Sequence, residues 1–448
     1  MDAFERKNVF VVGAGRSGVA AALLLLRERA RVTLLDERPK AAVEQSLGVE
    51  IPPQVTFVHG RMPEKAARGV DLVILSPGVP ASRLPREALR RANVPVWGEL
   101  ELGFRRFRGN VAAVTGTNGK STVTTLLGDM VARAFSRVFV GGNLGTPLVA
   151  AAGEPFDWGV VEVSSFQLES IDAFRPKVAV LLNLTEDHSD RYENFSAYAE
   201  TKTAILRNQG ATDTAVINGD DPEIISRADR IRAEKIPFSL TRPLSEGVCL
   251  DGGEMVYRNG VQEERYPRAL LRIRGLQNVE NAMAAIAAAR RIGVPPEAVR
   301  EALAAFPGLP HRVEFVRQFR GVSWFNDSKG TNVGAVLKCL EGFPEPIVLI
   351  AGGKDKGVDF HPLREPLRRK ARAAVLFGEA RGRMERVLSG TVPLTMVGTL
   401  DEAVRKAAGL ARQGDVVILS PACSSFDQFR NFEDRGETFR RAVKELPG

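Results

Sequence analysis

The run Val114-Thr115-Gly116-Thr117-Asn118-Gly119-Lys120-Ser121-Thr122 carries the densest set of chemistry-bearing residues in the chain. It follows an apolar strand pattern and opens a helical one. Gly116 and Gly119 let the backbone curl so that successive N–H groups face a phosphate. The helix N-terminus adds a favourable dipole, Lys120 neutralises phosphate charge, and the Ser121 hydroxyl can ligate Mg²⁺. Gly116 through Thr122 are therefore expected to hold the phosphates of a nucleotide. The position five before Gly119 is Val114, so the loop is shorter than the common phosphate-binding loop. A helix start with a solvated lysine is the plain alternative, and the strand, glycines, lysine and hydroxyl together argue against it.

Such a loop needs metal-holding acids on neighbouring strands. Glu162 ends the apolar run WGVVE, where an unpaired carboxylate would be costly to bury. His188 lies in NLTEDHSDRY with Glu186, Asp187 and Asp190, again after a strand pattern. Ligands bind at the carboxyl ends of strands in parallel sheets, which favours a functional reading of both segments over solvated loop acids.

Gly13-Ala14-Gly15-Arg16-Ser17-Gly18 matches GxGxxG after a strand, and Asp36 ends the next strand. The motif reports a tight turn that presents a helix N-terminus to a diphosphate, with an acid placed for a hydroxyl or base edge. NAD and a UDP-sugar share that diphosphate, so the motif alone leaves both open. Three further polar clusters follow apolar runs late in the chain: Asn326–Asn332, Gly352–Gly357 and Ser420–Ser425. Their cations and hydroxyls suit a small dicarboxylate amino acid. Cys423 has no histidine at a suggestive place, so a buried small residue is the better reading.

These residues need strands and helices to position them. From Asn8 the pattern is apolar run, glycine turn, amphipathic stretch, apolar run, which means a parallel sheet with crossover helices. A second series starts at NVAAVTGTNGKST and ends with helical patterns at Asn278–Arg291 and Pro296–Phe306; a third starts after PGLPHR. The expected fold is α/β in three domains: 1–97, 98–309 and 310–448. The first and last are Rossmann-like, and the central one is of the phosphate-loop ATPase type.

The 448 residues exceed what one core holds. Lys plus Arg number 62 against 54 Asp plus Glu, a net charge of +8. The basic residues are scattered along helical faces, as at Arg290 and Arg291, so solvated faces are expected and nucleic-acid binding is not. Three separated cysteines suit a reducing compartment. The apolar patch Ala20–Leu26 falls short of the ~20 residues of a membrane span, so a soluble, cytoplasmic protein is expected.

GTNGKST, EVSS, NLTEDHSDRY, GLQNVEN, LPHR and NDSKGTN, in this order, resemble the Mur ligase family over essentially the whole chain. GAGRSG with Asp36, GGKDKGVDF and SPACSSFDQFRNFEDRG are similar to the branch that adds D-glutamate to UDP-N-acetylmuramoyl-L-alanine in bacterial peptidoglycan synthesis. The resemblance implies a cytoplasmic monomer that uses ATP, two Mg²⁺ ions and an acyl-phosphate intermediate. It implies that Ser17, Asp36, Arg38 and Gly78 hold the uracil and diphosphate and that Asn143 contacts the muramoyl part. Asn278, Asn281, Arg312 and Asp327 would join the phosphate loop on ATP. Ser121, Glu162, His188 and a carbamylated Lys202 would hold metal, although physics alone reads Lys202 as a solvated helix residue. Lys120, His188, Lys202 and Lys329 would act in catalysis, and Thr331, Lys356, Ser425 and Phe432 would hold D-glutamate. Gln277 stands where the family usually has His, which removes any ionic role there. An NAD-dependent oxidoreductase would account for Gly13, Gly15, Gly18 and Asp36 but leaves the phosphate loop and the Asn326–Asn332 cluster unexplained. A folylpolyglutamate synthetase would lack the N-terminal glycine motif.

Overall fold

The computed structural model describes residues 4–187 and 191–447. The chain forms two compact units. The first comprises Met1–Asp251, Val256–Arg265 and Met283–Ala302; the second comprises Gly252–Met255, Tyr266–Ala282 and Leu303–Gly448.

The first unit opens with strands β1 (Asn8–Val12), β2 (Arg31–Asp36), β3 (Thr56–His59), β4 (Leu72–Leu75) and β5 (Val96–Gly98). They form a parallel sheet in the order β3-β2-β1-β4-β5. The chain reverses its direction of travel between β1 and β4, the switch point at which open α/β sheets bind ligands. The crossover helix Arg16–Arg27 buries Val19, Ala21, Ala22, Leu24 and Leu25, one apolar stripe at helical spacing.

Nine strands follow: β6 (Arg108–Thr115), β7 (Val138–Gly142), β8 (Pro155–Glu162), β9 (Val178–Leu181), β10 (Thr214–Asn218), β11 (Glu234–Ser239), β12 (Glu246–Asp251), β13 (Glu254–Asn259) and β14 (Glu263–Pro267). Their order is β14-β13-β12-β11-β10-β9-β6-β8-β7. β6 pairs in parallel with both β8 and β9. It is therefore an interior strand, and Val111 through Thr115 are buried. Strands β12 to β14, at one end of this sheet, carry charged residues among their apolar ones, so no clean strand pattern is legible there. Helix Leu276–Ile292 extends slightly beyond the expected limits, and Pro296–Ala305 stops one residue short of them. Of the two arginines expected to be solvated on the longer helix, Arg291 is exposed and Arg290 is not. Arg290 pairs with Glu264 at 2.7 Å, and both side chains are largely buried; Arg291 pairs with Glu234.

A mixed core holds the two sheets of this unit together. Leu24 and Leu25 share an apolar cluster with Leu102, Val149 and Ala152. The helix Glu99–Arg106 supplies a buried fastening: Glu101 accepts the backbone N–H groups of Asp172, Ala173 and Phe174, each at 2.9 Å, and Arg105 Nε at 2.6 Å.

The second unit carries β15 (Glu314–Phe319), β16 (Val322–Asn326), β17 (Ile347–Gly352), β18 (Ala371–Phe377), β19 (Leu394–Met396) and β20 (Val416–Leu419). Their order is β15-β16-β20-β17-β18-β19, antiparallel only at β15–β16. β16, β17 and β20 end at Asn326, Gly352 and Leu419, so the three polar clusters read from the sequence all begin at one edge of one sheet.

Candidate functional site

At the first switch point, Gly13 leaves β1 with φ +97°, a conformation that favours glycine. Its carbonyl accepts the Ser76 hydroxyl at 2.7 Å. A Cβ on Gly18 would lie 1.8 Å from that same carbonyl oxygen, so the helix approaches the strand more closely than any side chain allows. Asp36 accepts the Ala14 N–H at 2.7 Å and the Arg38 Nε at 2.8 Å. Burial by itself raises the Asp36 pKa, but the bonds from Arg38 and Ala14 together hold it below the usual carboxylate range.

A cavity of about 410 Å³ opens at this turn, and Ser17, Asp36, Arg38, Gly78, Asn143 and Gln167 all line it. A second cavity of about 320 Å³, toward Met62 and Pro80, shares Gly13, Asp36, Arg38, Gly78 and Val79 with the first. The structure thus gathers all five residues expected on the nucleotide-sugar. Gln167 also faces this cavity and was missed in the sequence. Its amide donates to the fully buried Glu99 at 2.8 Å and accepts the Ser164 N–H at 2.9 Å. Burial pushes Glu99 up to about 7, against the opposing hydrogen bonds from Gln167 and Ser17.

The phosphate-type loop lies at the end of β6. Gly116 and Gly119 have φ +153° and +86°, and the helix Lys120–Ala132 starts directly after them. A Cβ on Gly116 would meet Leu182 at 2.9 Å, so glycine is also needed for close approach to the chain beyond β9. The Lys120 ammonium donates to the carbonyls of Gly116 (2.9 Å) and Thr117 (2.8 Å). Asn183 grips the loop by accepting the Asn118 N–H at 2.8 Å and donating to its carbonyl at 3.1 Å. The Tyr198 hydroxyl reaches Thr117 Oγ1 at 3.2 Å. Ser121 and Thr122 are buried in the first turn.

Lys202 is the largest departure from residue-by-residue reading. It lies on helix Phe195–Thr203, is 2 % exposed, and donates to the Gly116 carbonyl at 2.8 Å. Two lysines thus share one carbonyl oxygen. Burial, then the neighbouring Lys120 charge, drive the Lys202 pKa well below its ordinary value, with Asp187 and Glu162 opposing. Glu162, buried at the end of β8, accepts Asn143 Nδ2 at 2.7 Å. That bond spans the first cavity and the strand beside the loop. His188 and Asp190 lie outside the described residues.

The second unit holds the remaining candidates. Asn281 Nδ2 donates to Asn278 Oδ1 at 3.2 Å, and Asn278 Nδ2 to the Arg274 carbonyl at 2.7 Å. Asp327 is buried and accepts the Ser420 hydroxyl at 2.7 Å. Burial raises its pKa to about 6, opposed by Ser420 and by the Arg312 charge. The Lys329 ammonium sits 4.6 Å from the Phe432 ring centroid. Thr331 is half-buried, Ser425 buried and Lys356 exposed. Cys423 is buried, and desolvation pushes its thiol up to about 12, which suits the small core residue expected. The three polar loops converge on Arg435, which lies in the run SPACSSFDQFRNFEDRG and had been given no role there. Its guanidinium donates to Ser328 Oγ (3.0 Å), to the Ser328 carbonyl (2.8 Å) and to the Cys423 and Ser424 carbonyls (3.1 Å each). The Ser424 carbonyl also accepts the Lys354 N–H at 2.9 Å.

Three domain families match in series: the Mur ligase MurD-like N-terminal domain over residues 7–98, the Mur ligase middle domain over 114–289, and the Mur ligase glutamate ligase domain over 311–423. Proteins named UDP-N-acetylmuramoylalanine--D-glutamate ligase are similar over nearly the whole chain. That of Geobacter metallireducens is 46 % identical over 442 residues, covering 98 % of each chain. That of Syntrophotalea carbinolica is 43 % identical over 451 residues, covering 100 % of each. Among solved structures, the fold is shared with the UDP-N-acetylmuramate-alanine ligase of Thermotoga maritima, at TM-score 0.61 and 21 % identity, covering 98 % of this chain and 100 % of that one. The MurF ligase of the same organism, solved with ADP, gives TM-score 0.62 at 19 % identity, covering 100 % and 97 %.

Proposed function

The chain belongs to the Mur ligase family, and on that premise we propose that it joins D-glutamate to UDP-N-acetylmuramoyl-L-alanine at the expense of ATP, in peptidoglycan precursor synthesis. One observation carries the reading. Asn143 lines the cavity that gathers the nucleotide-sugar residues, and its amide is bonded to Glu162, on the strand paired with the phosphate-loop strand. A ligase of this kind must bring the carboxylate of one substrate to the γ-phosphate of another, and this hydrogen bond links the two places.

A carboxylate is a weak electrophile until activated. Its oxygen attacks the γ-phosphorus, the bond to the β-phosphate oxygen breaks, and an acyl phosphate and ADP result. The D-glutamate amine then attacks the acyl carbon, inorganic phosphate leaves, and the amine gives up a proton as the amide forms. Lys120 lessens the repulsion between carboxylate and polyphosphate, and the Gly116–Thr122 backbone cradles the phosphates. Asn278, Asn281, Arg312 and Asp327 are assigned to ATP, and Lys329, Thr331, Lys356, Ser425 and Phe432 to D-glutamate and the transferred phosphate.

Ser121 and Glu162 offer buried hard oxygens, the donors that Mg²⁺ takes. When bound, Mg²⁺ supplies further charge neutralisation at the γ-phosphate. His188 is assigned to the same site. Lys202 fits carbamylation because its suppressed pKa favours the free amine that adds to CO₂, with loss of a proton. The product is an anion able to ligate a second Mg²⁺. Limits of 1–97, 98–309 and 310–448 are our division of the three domains, and we take the enzyme to act as a monomer in the bacterial cytoplasm. No helix among the described residues is long and apolar enough to cross a membrane.

The test is phosphate release from ATP by the purified chain with UDP-N-acetylmuramoyl-L-alanine, comparing D-glutamate, L-glutamate and meso-diaminopimelate. Stimulation by D-glutamate alone is expected. No response to D-glutamate would sink the substrate assignment.

A further inference from the structure

Arg435 lies on helix Phe432–Lys444 and is 0 % exposed. Its guanidinium makes four hydrogen bonds, and every acceptor is a neutral hydroxyl or carbonyl oxygen. Among the described residues it forms no ion pair. Asp427 and Asp327 act on it through space only. Each is engaged elsewhere: Asp427 accepts the Glu379 N–H at 3.0 Å, and Asp327 accepts the Ser420 hydroxyl. Burial draws the Arg435 pKa down to about 10, which still leaves it charged at neutral pH. A buried charge without a counter-ion is expensive to keep, so its retention asks for a reason.

The surrounding residues point to one. Ser328 and the Cys423–Ser424 carbonyls belong to two of the polar loops, and the Lys354 N–H on the Ser424 carbonyl ties in the third. The Ser328 hydroxyl donates to the Phe432 carbonyl at 2.8 Å, and Phe432 carries Lys329 over its ring. A Cβ on Gly353 would meet the Ser424 carbonyl at 2.4 Å and Arg435 Nη1 at 3.0 Å, so the loops are packed tightly around this side chain.

We propose that Arg435 is a positioning residue for the amino-acid substrate: it sets the three loops in register and leaves a net positive field that a dicarboxylate completes. This rests on assigning Lys329, Thr331, Lys356 and Ser425 to D-glutamate. A neutral hydrogen-bonding residue could tie loops together, but the field is what a doubly anionic ligand would read.

The experiment measures steady-state phosphate release for the full chain, Arg435→Lys and Arg435→Gln, with each of the three substrates varied in turn. Lysine keeps the charge but cannot reach all four acceptors from its one ammonium. Glutamine keeps some hydrogen bonding and loses the charge. The D-glutamate KM is expected to rise about tenfold or more in Arg435→Gln and by about threefold in Arg435→Lys, on the scale of one charged hydrogen bond. The KM values for ATP and for UDP-N-acetylmuramoyl-L-alanine should stay within about twofold, and thermal unfolding reports whether each variant is folded. If Arg435→Gln does not fold, Arg435→Lys decides alone. A folded variant with unchanged D-glutamate KM overturns the proposal, as does an equal loss for all three substrates, which a purely structural role would give. If the unmodified chain does not respond to D-glutamate, the substrate reading fails first and takes this proposal with it.

Discussion

The glycine turns at Gly13–Gly18 and Gly116–Ser121 share a backbone plan and differ in the charged side chains that reach them. Each follows an interior parallel strand, uses positive-φ glycine and starts a helix. In the first, a carboxylate occupies the turn: Asp36 takes the Ala14 N–H, and a cavity of about 410 Å³ stands beside it. In the second, cations occupy the turn, with Lys120 and Lys202 both donating to the Gly116 carbonyl. The same turn thus meets an Asp36–Arg38 ion pair in one place and two lysines in the other. Side chains from elsewhere in the chain help to set that difference.

The largest effect should come from removing the cation that defines the second turn. Lys120→Ala should lower kcat/KM for phosphate release by roughly 10³-fold, on the scale of a lost charge at a transferring phosphoryl group. A loss under about tenfold would break the contrast. Lys202→Ala should lower kcat by about 10²-fold. Added bicarbonate should raise the activity of CO₂-depleted unmodified enzyme and leave the variant unchanged. A fully active variant without bicarbonate response rules the carbamate out.

In the first turn the constraint is steric. Gly18→Ala puts a methyl group 1.8 Å from the Gly13 oxygen, so thermal unfolding should show a loss of about 2 kcal/mol. The nucleotide-sugar KM should rise while ATP KM holds. The smallest effect concerns Glu99, beneath the first cavity. Its folded pKa of about 7 exceeds the ordinary 4.5, so the folded state holds the proton more tightly than the unfolded one. Its contribution is best below 4.5 and falls as pH rises through about 7. Glu99→Gln should remove that slope, so the variant gains about 1–2 kcal/mol over the unmodified chain at pH 8 relative to pH 5. Parallel stability–pH curves for the two proteins would refute this.

Both turns were legible in the sequence because glycine spacing, strand and helix are local patterns. The three-domain α/β layout was legible for the same reason. What escaped depends on distant packing. Lys202 sits on a helix with no apolar stripe to mark its inward face, and only the fold brings it to the Gly116 carbonyl. Arg435 sits on a strongly charged helix, where one buried arginine looks like its solvated neighbours. Asn183 and Gln167 are amides whose grip depends on loops far away in sequence. Strands β12 to β14 escaped because their charged residues hide the alternation.

The bonds of Lys120 within the loop also bear on inhibition and on binding kinetics. Its ammonium has two carbonyl partners within the loop itself. A ligand arriving at the loop must therefore exchange those bonds for its own. A polyphosphate can drive that exchange with its charge. An uncharged phosphate mimic of the same shape cannot, so it should associate slowly and dwell briefly however well it fits. Competitive compounds aimed at this loop would do better to retain an anion.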